Sequence, residues 1–501
     1  MPLSKIRILL FLAVILTMNL NAQNFDNHRY TEPVFEQIEE LSNVIYTTVP
    51  QINSPYFDES NTVDTDFMMD IFLPANDEIQ YRPAVVFCHS GAFLTGNRYH
   101  EDMLAFCDSL SRRGFVTATI DYRQGFNALN TNSSIRAVFR GLQEARSAVR
   151  FLRAHSEEYG IDVNKVYIAG SSAGGFMALH AIYMNEESEV PASCESYTYQ
   201  SGFPPQTYNA PDLGGLDMGQ YLEEDGEPNA AINMWGAIQS PVLIKETDDS
   251  PVILIHGTSD PTVPFEVGSP FGFPLFPPSY GSSPISDRLT ELGFEHETYF
   301  VEGEGHEFYG TDNGEFPVTG PNTYWDTVYQ KVNQFLWELD KPMANFDHDS
   351  DALEVSFNNL SEEAIAYSWD FGDGNFSNEV NPIHTYAELG QYTVTLEILN
   401  DIQSWDTVMK TINVGYDHID SKHRMEVEIS PNPSRGIIHT NGDPVQKIEL
   451  YDMKGTLQFE KDLRKGHSEP IILPSHIKSG IYICRLWLTE NEMKGVRLIV
   501  L

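Results

Sequence analysis

Three short stretches hold the residue types that acyl-transfer chemistry needs. The first is Gly170-Ser-Ser-Ala-Gly174, where the spacing G-x-S-x-G selects Ser172 and leaves Ser171 as the variable position. A serine hydroxyl is a weak nucleophile. It needs a base within hydrogen-bond reach, and the base needs an acid to orient it. His256-Gly-Thr-Ser-Asp260 supplies an acid, and Glu302-Gly-Glu-Gly-His306 supplies a base. Each of the three follows an apolar, strand-like run, so Ser172, Asp260 and His306 are all predicted at the carboxyl ends of strands.

Acyl transfer also needs donors for a developing oxyanion. The run Val85-Val-Phe-Cys-His89-Ser-Gly91-Ala92-Phe93 ends a strand in small residues, and Gly91, Ala92 and Ala173 are the predicted backbone donors. His89 precedes the nucleophile in chain order and is read as shaping its loop. His256 is read as closing the turn before Asp260. Asp248, Asp249, Glu302 and Glu304 are read as solvated loop acids.

The elements that must carry these loops are legible as patterns. Ala84–Cys88, Phe115–Ile120, Val166–Ala169 and Val252–Ile255 are continuous apolar runs, and Leu142, Ala145, Ala148, Val149 and Leu152 recur at helical spacing. Buried strands alternating with amphipathic helices predict an α/β unit with a mostly parallel sheet covered on both faces. The turn from Val166–Ala169 into a helix at Phe176–Ile182 must be tight, which the small residues permit. Two insertions, about 185–229 and 267–280, are predicted to shape a pocket. Phe93, Phe271, Phe273, Phe276 and Tyr280 are its candidate lining, although the ring-rich loop 267–280 equally suits packing on itself.

Length and charge bound the rest. A chain of 501 residues predicts two to four units, and a net charge of −41 argues against nucleic acid or anionic lipid as a partner. Residues 1–22 have the basic start, apolar stretch and small terminal residue of a cleavable signal peptide, too short to span a bilayer. No other run predicts a stable membrane span. Four scattered cysteines, Cys88, Cys107, Cys194 and Cys484, permit one disulfide, but Cys88 reads as a small buried hydrophobe. Beyond Lys341 the period changes to two, as in Gln391–Ile398, which predicts a small β-sandwich. A polar linker at 416–428 precedes a second region of short strands. From Met425 onward ten basic residues balance ten acidic ones, so the acidity lies upstream.

His89-Ser-Gly-Ala-Phe, Asp121-Tyr-Arg123, Gly170-Ser-Ser-Ala-Gly-Gly175, His256-Gly-Thr-Ser-Asp260 and Gly305-His306 together resemble the α/β-hydrolase esterases and lipases related to hormone-sensitive lipase and to feruloyl and acetyl-xylan esterases. The resemblance implies an α/β-hydrolase domain over 23–340. It implies carboxylic-ester hydrolysis through an acyl-serine with no metal or organic cofactor; acetylated or feruloylated glycans fit the family, and lipids and polyesters stay open as substrates. Ser90 stands where the family usually has glycine. Trp369-Asp-Phe-Gly-Asp-Gly374 with Gly390-Gln-Tyr-Thr-Val394 resembles the polycystic-kidney-disease type sandwich over 341–415, expected to act as a spacer rather than a weak polymer binder, with Asp370 and Asp373 capping turns rather than binding Ca²⁺. Ile429-Ser-Pro-Asn-Pro, Leu450-Tyr-Asp-Met-Lys-Gly455 and Ser479-Gly-Ile-Tyr482 resemble the sorting domain of type IX secretion over 429–501, which implies that machinery as a partner and a secreted or cell-surface protein. Two other readings share parts of the pattern. A serine peptidase of the prolyl-oligopeptidase kind lacks room here for an upstream propeller. A polymer-binding protein on an inactive hydrolase scaffold is opposed by the complete set of Ser172, Asp260 and His306.

Overall fold

The computed structural model describes residues 28–415, 427–430, 437–442, 445–452, 456–463, 470–487 and 493–500. The predicted signal peptide, the linker residues 416–426 and Pro431-Asn-Pro433 lie outside them. In chain order the first part forms β1 (Ile38–Ile52), β2 (Thr62–Pro74), β3 (Arg82–Cys88), β4 (Val116–Ile120) and β5 (Ile161–Ser171). A hairpin of β6 (Tyr197–Ser201) and β7 (Gln206–Ala210) follows, then β8 (Ala231–Met234) and β9 (Val252–Gly257). The short β10 (Val267–Gly268) and β11 (Ser279–Tyr280) precede β12 (Glu297–Val301). The helices are α1 (Glu101–Ser111), α2 (Thr131–Ala154), α3 (Ser156–Tyr159), α4 (Ala173–Tyr183), α5 (Ser282–Leu292) and α6 (Thr323–Asp340).

The central sheet runs β1-β2-β4-β3-β5-β8-β9-β12. β2 pairs antiparallel with both β1 and β4, and every pairing from β4 through β12 is parallel. Strand β3 shows why its run carries no polar residue between Ala84 and Cys88. Ala84, Val86 and Cys88 join one core with Leu142 of α2 and Met177 of α4. Val85 and Phe87 join the other, with Phe106 of α1 and Leu336 of α6. With both faces covered, alternation disappears. Among the described residues, no helix is long and apolar enough to cross a membrane. All four cysteines are free, buried thiols.

Helix α2 departs from expectation at both its start and its polar face. It begins at Thr131, ten residues before the predicted amphipathic run, because the Asn130 side chain caps it by accepting from the Asn132 amide at 3.1 Å. Its arginines are not solvated. Arg136 pairs with Glu59 at 2.6 Å, Arg123 reaches Glu144 at 2.7 Å, and Arg146 and Arg150 both hold Asp217. Asp217 belongs to the 185–229 insertion, whose Cys194, Pro211, Leu213 and Gly215 carbonyls also accept from Arg136 and Gln143 of α2. Only paired charges tolerate such burial. Asp248 is likewise buried rather than solvated, accepting from the Lys245 amide and the Asn185 side chain.

The second part comprises β13 (Phe346–Asp351), β14 (Glu354–Asn359), β15 (Ala366–Asp370), β16 (Phe376–Ser377), β17 (Ile383–Thr385), β18 (Gly390–Leu399) and β19 (Trp405–Val414). They form sheets β13-β14-β17 and β16-β15-β18-β19. Trp369 and Phe371 are buried, with Trp369 edge-on to Phe346. Asp370 and Asp373 accept from the Gly372 and Asn375 amides, as turn caps do. The sorting region adds β20 (Val427–Ser430), β21 (Ile437–Gly442), β22 (Lys447–Asp452), β23 (Leu457–Asp462), β24 (Ile471–Ile472), β25 (Gly480–Trp487) and β26 (Met493–Val500). These make antiparallel sheets β20-β21-β24 and β23-β22-β25-β26.

Most of the sandwich belongs to one compact unit with the α/β part. Ile402 sits in the same core cluster as Leu336 of α6. Trp405 stacks on His28 at 4.2 Å and lies 5.2 Å from Trp337, and its indole donates to Thr31 Oγ1 at 3.2 Å. Asn400 donates to the Asp340 carbonyl at 2.9 Å. Trp405→Ala is expected to cost about 2 kcal/mol of unfolding free energy, read by denaturant titration; an unchanged midpoint would mean that the seat contributes nothing. Asp340 adds a pH dependence. Burial raises its carboxyl to about 6, against Lys165 at 3.1 Å and the Tyr167 hydroxyl at 3.0 Å. A carboxyl raised on folding contributes stability that is present below its unfolded value and lost as pH rises through the folded one. Between about pH 4 and about pH 7 the native protein should therefore lose stability that Asp340→Asn retains. Parallel stability–pH curves for the two proteins would disprove this.

Candidate functional site

Strand β5 ends at Ser171 and α4 begins at Ala173, so the whole reversal happens at Ser172, which adopts φ 55° and ψ −111°. This is a left-handed backbone that L-residues seldom occupy and that persists only where surroundings enforce it. Two glycines enforce it by letting elements touch. A Cβ on Gly170 would lie 2.1 Å from the Gly174 carbonyl carbon, and one on Gly174 would lie 2.0 Å from the Cys88 carbonyl oxygen. Helix α4 thus starts directly against β3 and β5. The Ser172 amide donates to the Met234 carbonyl of β8 at 2.9 Å, and its hydroxyl stands above the strand ends.

The loops after β9 and β12 bring the other two residues to it. His306 Nε2 lies 2.9 Å from Ser172 Oγ, and His306 Nδ1 lies 2.7 Å from Asp260 Oδ2. Asp260 is fixed from its other oxygen, which accepts from the Thr262 and Val263 amides at 2.7 and 3.0 Å. Burial by itself would raise this carboxyl. Hydrogen bonds from His256 and His306 outweigh that and hold it well below the usual carboxylate range, so it is ionised at neutral pH. His256 lies 3.3 Å from Asp260 Oδ2 and bridges to Ser282 Oγ and the Val263 carbonyl, which closes the acid's turn as its position suggested. Glu302 and Glu304 engage Thr258 and Tyr324.

After β3 the chain takes three consecutive positive φ values, 123° at Gly91, 52° at Ala92 and 57° at Phe93. The turn is tied by Leu94 and Thr95 amides, both donating to the Gly91 carbonyl. Only glycine fits at 91, since a Cβ there would sit 2.0 Å from the Thr95 carbonyl oxygen. Among the described residues, the amides of Ala92 and of Ala173 at the first turn of α4 find no protein acceptor. His89 lies beneath, stacked on Tyr122 at 4.2 Å, with Nδ1 2.5 Å from the Ser90 carbonyl. Burial lowers its pKa to about 3, so it is a neutral loop support. Ser90 is fully buried, with its hydroxyl 3.4 Å from His100.

A cavity of about 520 Å³ opens beside Ser172. Phe93, Phe271 and Phe276 line it. Phe273 and Tyr280 do not: Phe273 packs on Phe276 at 5.1 Å, and Tyr280 is held in the β10–β11 pair. The ring-rich loop therefore both packs on itself and presents two rings. Part of the wall comes from residues that carry no chemical signature, among them Ile135, Val138 and Leu142 on α2 and Phe176 on α4. Their helical spacing marks them only as apolar face. Trp235 is a further residue the sequence did not single out. Its indole donates to Ser171 Oγ at 2.9 Å and its ring meets His306 edge-on at 6.3 Å. Ser171 is thus an enclosed acceptor. Ser171→Ala should leave the Trp235 N–H unpaired and lower stability by about 1–3 kcal/mol, measured by thermal or urea unfolding. A neutral effect would show that the indole finds another partner.

The chain matches three families: BD-FAE over residues 69–210, PKD domain over 340–414, and secretion system C-terminal sorting domain over 428–500. Among curated proteins it is 24% identical over 255 residues to an isoprenylcysteine alpha-carbonyl methylesterase of Arabidopsis thaliana, covering 48% of this chain and 53% of that one. It is 28% identical over 166 residues to a carboxylic ester hydrolase of Bombus ignitus, covering 31% and 29%. The chain thus spans about half the length, or less, of these relatives. Among solved structures, the apo form of Thermogutta terrifontis esterase 2 aligns over 62% of this chain and 96% of its own, at 20% identity and a TM-score of 0.40. The chain carries an α/β-hydrolase domain, a PKD domain and a sorting domain of type IX secretion. The last marks it for export across the outer membrane to the cell surface or beyond.

Proposed function

We propose that the protein is an exported serine carboxylesterase. The observation that carries this reading is the unbroken relay from Ser172 Oγ through the His306 ring to Asp260, with contacts of 2.9 and 2.7 Å. His306 takes the hydroxyl proton as Ser172 Oγ attacks the ester carbonyl. The tetrahedral oxyanion falls to the Ala92 and Ala173 amides, with Gly91 supplying the turn that aims them. His306 then passes the proton to the departing alcohol, leaving an acyl-Ser172. Water, deprotonated by His306, attacks that acyl group and releases the carboxylic acid. Asp260 keeps its charge throughout and balances the imidazolium that forms twice per cycle.

The BD-FAE match and the ester-hydrolysing relatives support the reaction class. The sorting domain supports a substrate met outside the cell. Hydrolysis of p-nitrophenyl esters by purified protein tests the assignment. Ser172→Ala should lower kcat by up to about 10⁶-fold, whereas Ser171→Ala should keep most of its turnover at temperatures where it is folded. Equal losses in the two variants would remove Ser172 from its role, and no serine-dependent turnover on any ester would favour a peptidase or a binding protein on this scaffold.

A further inference from the structure

The geometry points to a carboxylic ester with a long, apolar acyl chain as the substrate, the chain lying in the groove between α2 and α4. This rests on the serine-esterase reading and goes beyond it by assigning the acyl group. Two helical stripes form one side of the groove wall. Along α4 the lining residues are Ala173, Phe176 and His180, with Met184 just past its end, spaced by three or four. Along α2 the stripe includes Ile135, Val138 and Leu142. Such spacing places each stripe on one face of its helix. From Ala173 to Met184 the wall extends about 16 Å at the helical rise, so the groove is deep along α4 rather than a shallow cup at the nucleophile. An acetyl group would leave nearly all of its 520 Å³ unfilled.

Its chemistry favours hydrocarbon over sugar. The wall holds few polar side chains, and Ser134, His180, Ser240 and Ser279 among them already have protein partners. His180 is buried, with Nδ1 2.7 Å from the Phe176 carbonyl and Nε2 accepting from the Gln239 amide at 3.2 Å. Burial lowers its pKa to about 4, so it adds no charge. The Ser134 hydroxyl donates to the Thr131 carbonyl at 2.8 Å. A glycan ring placed here would bury hydroxyls with few partners, which opposes binding, whereas methylene groups gain from leaving water.

The side of the nucleophile identifies which half of the ester enters. The cavity is lined by Ser172, Ala92 and Ala173 but not by His306. The leaving alcohol must sit beside His306 Nε2 to receive its proton. The acyl substituent then points away from the histidine, into the groove. The bulky or polymeric part of a natural ester, if it has one, is carried on the alcohol side.

The test compares initial rates on methyl decanoate, decyl acetate and methyl ferulate, followed by acid release, with Ser172→Ala as the blank. Methyl decanoate should give the highest kcat/KM. A preference for decyl acetate would reverse the acyl assignment, and a preference for methyl ferulate would replace the chain by a rigid aromatic. Val138→Trp, which projects into the groove, should lower the ratio of kcat/KM on decanoate to that on acetate by about tenfold or more. Leu142→Ala, which deepens the groove, should move the optimum among p-nitrophenyl esters to longer chains. An unchanged ratio in a folded Val138→Trp protein, or a flat series from acetate to palmitate in the native enzyme, overturns the groove. Absence of Ser172-dependent turnover on every ester, acetate included, would instead remove the esterase reading on which the groove rests.

Discussion

The backbone reversal at Ser172 is the constraint on which the rest of the α/β part depends. A left-handed residue between strand and helix costs on the order of 1–3 kcal/mol, and it is held because neighbours leave no alternative. Helix α4 must start within van der Waals reach of β3, which only Gly174 allows, and the β5 end must pass under the same helix, which only Gly170 allows. The same close approach puts the Ala173 amide, for which no protein acceptor is found among the described residues, next to Ser172. Two features of the site are therefore consequences of one packing contact: the position of the Ser172 hydroxyl at the cavity and the unpaired amide beside it.

The relay across His306 is assembled from loops, yet each loop is pinned to something rigid. Asp260 is held by two backbone amides and by His256, which is itself fixed to α5 through Ser282. Beyond His306, Glu307 is buried and accepts from Thr311 and the Gly314 amide, and Tyr309 donates to buried Asp102 of α1 at 2.7 Å. Burial raises the Asp102 carboxyl to about 8, which keeps it protonated at neutral pH and spares the core an unpaired charge. Asp260 and His306 sit on loops, and their placement comes from polar groups buried beneath them.

Charge is used differently elsewhere in the molecule. On α2 the structure encloses arginines that a helical wheel would send to solvent, and it meets the desolvation cost with Glu59 and Asp217. The 185–229 insertion covers that face, while the opposite face of the same helix supplies the apolar groove wall. One helix thus separates a charged interior layer from a hydrocarbon one. At the back of the α/β part, the sandwich contributes Ile402 and Trp405 to a seat against α6 and the segment around His28.

Sequence by itself determined the parts whose chemistry is local. G-x-S-x-G marks a tight turn because only small residues fit it, and Asp260 and His306 stand out because each ends an apolar run. The alternation in Gln391–Ile398 marks a half-buried strand by its period alone. The four-residue β8, with Asn233 inside it, was too short and too polar to read, although its Met234 carbonyl positions Ser172. Only the tertiary structure decided what α2 faces, because a helix's arginines look the same whether water or Asp217 receives them. It also decided which rings reach the cavity: Phe271 and Phe276 turn toward it while Phe273 and Tyr280 are held by their own loop. Residue type and spacing report what a side chain can do. Which neighbour it meets depends on distant segments folding over it, and that information is not carried in any local window.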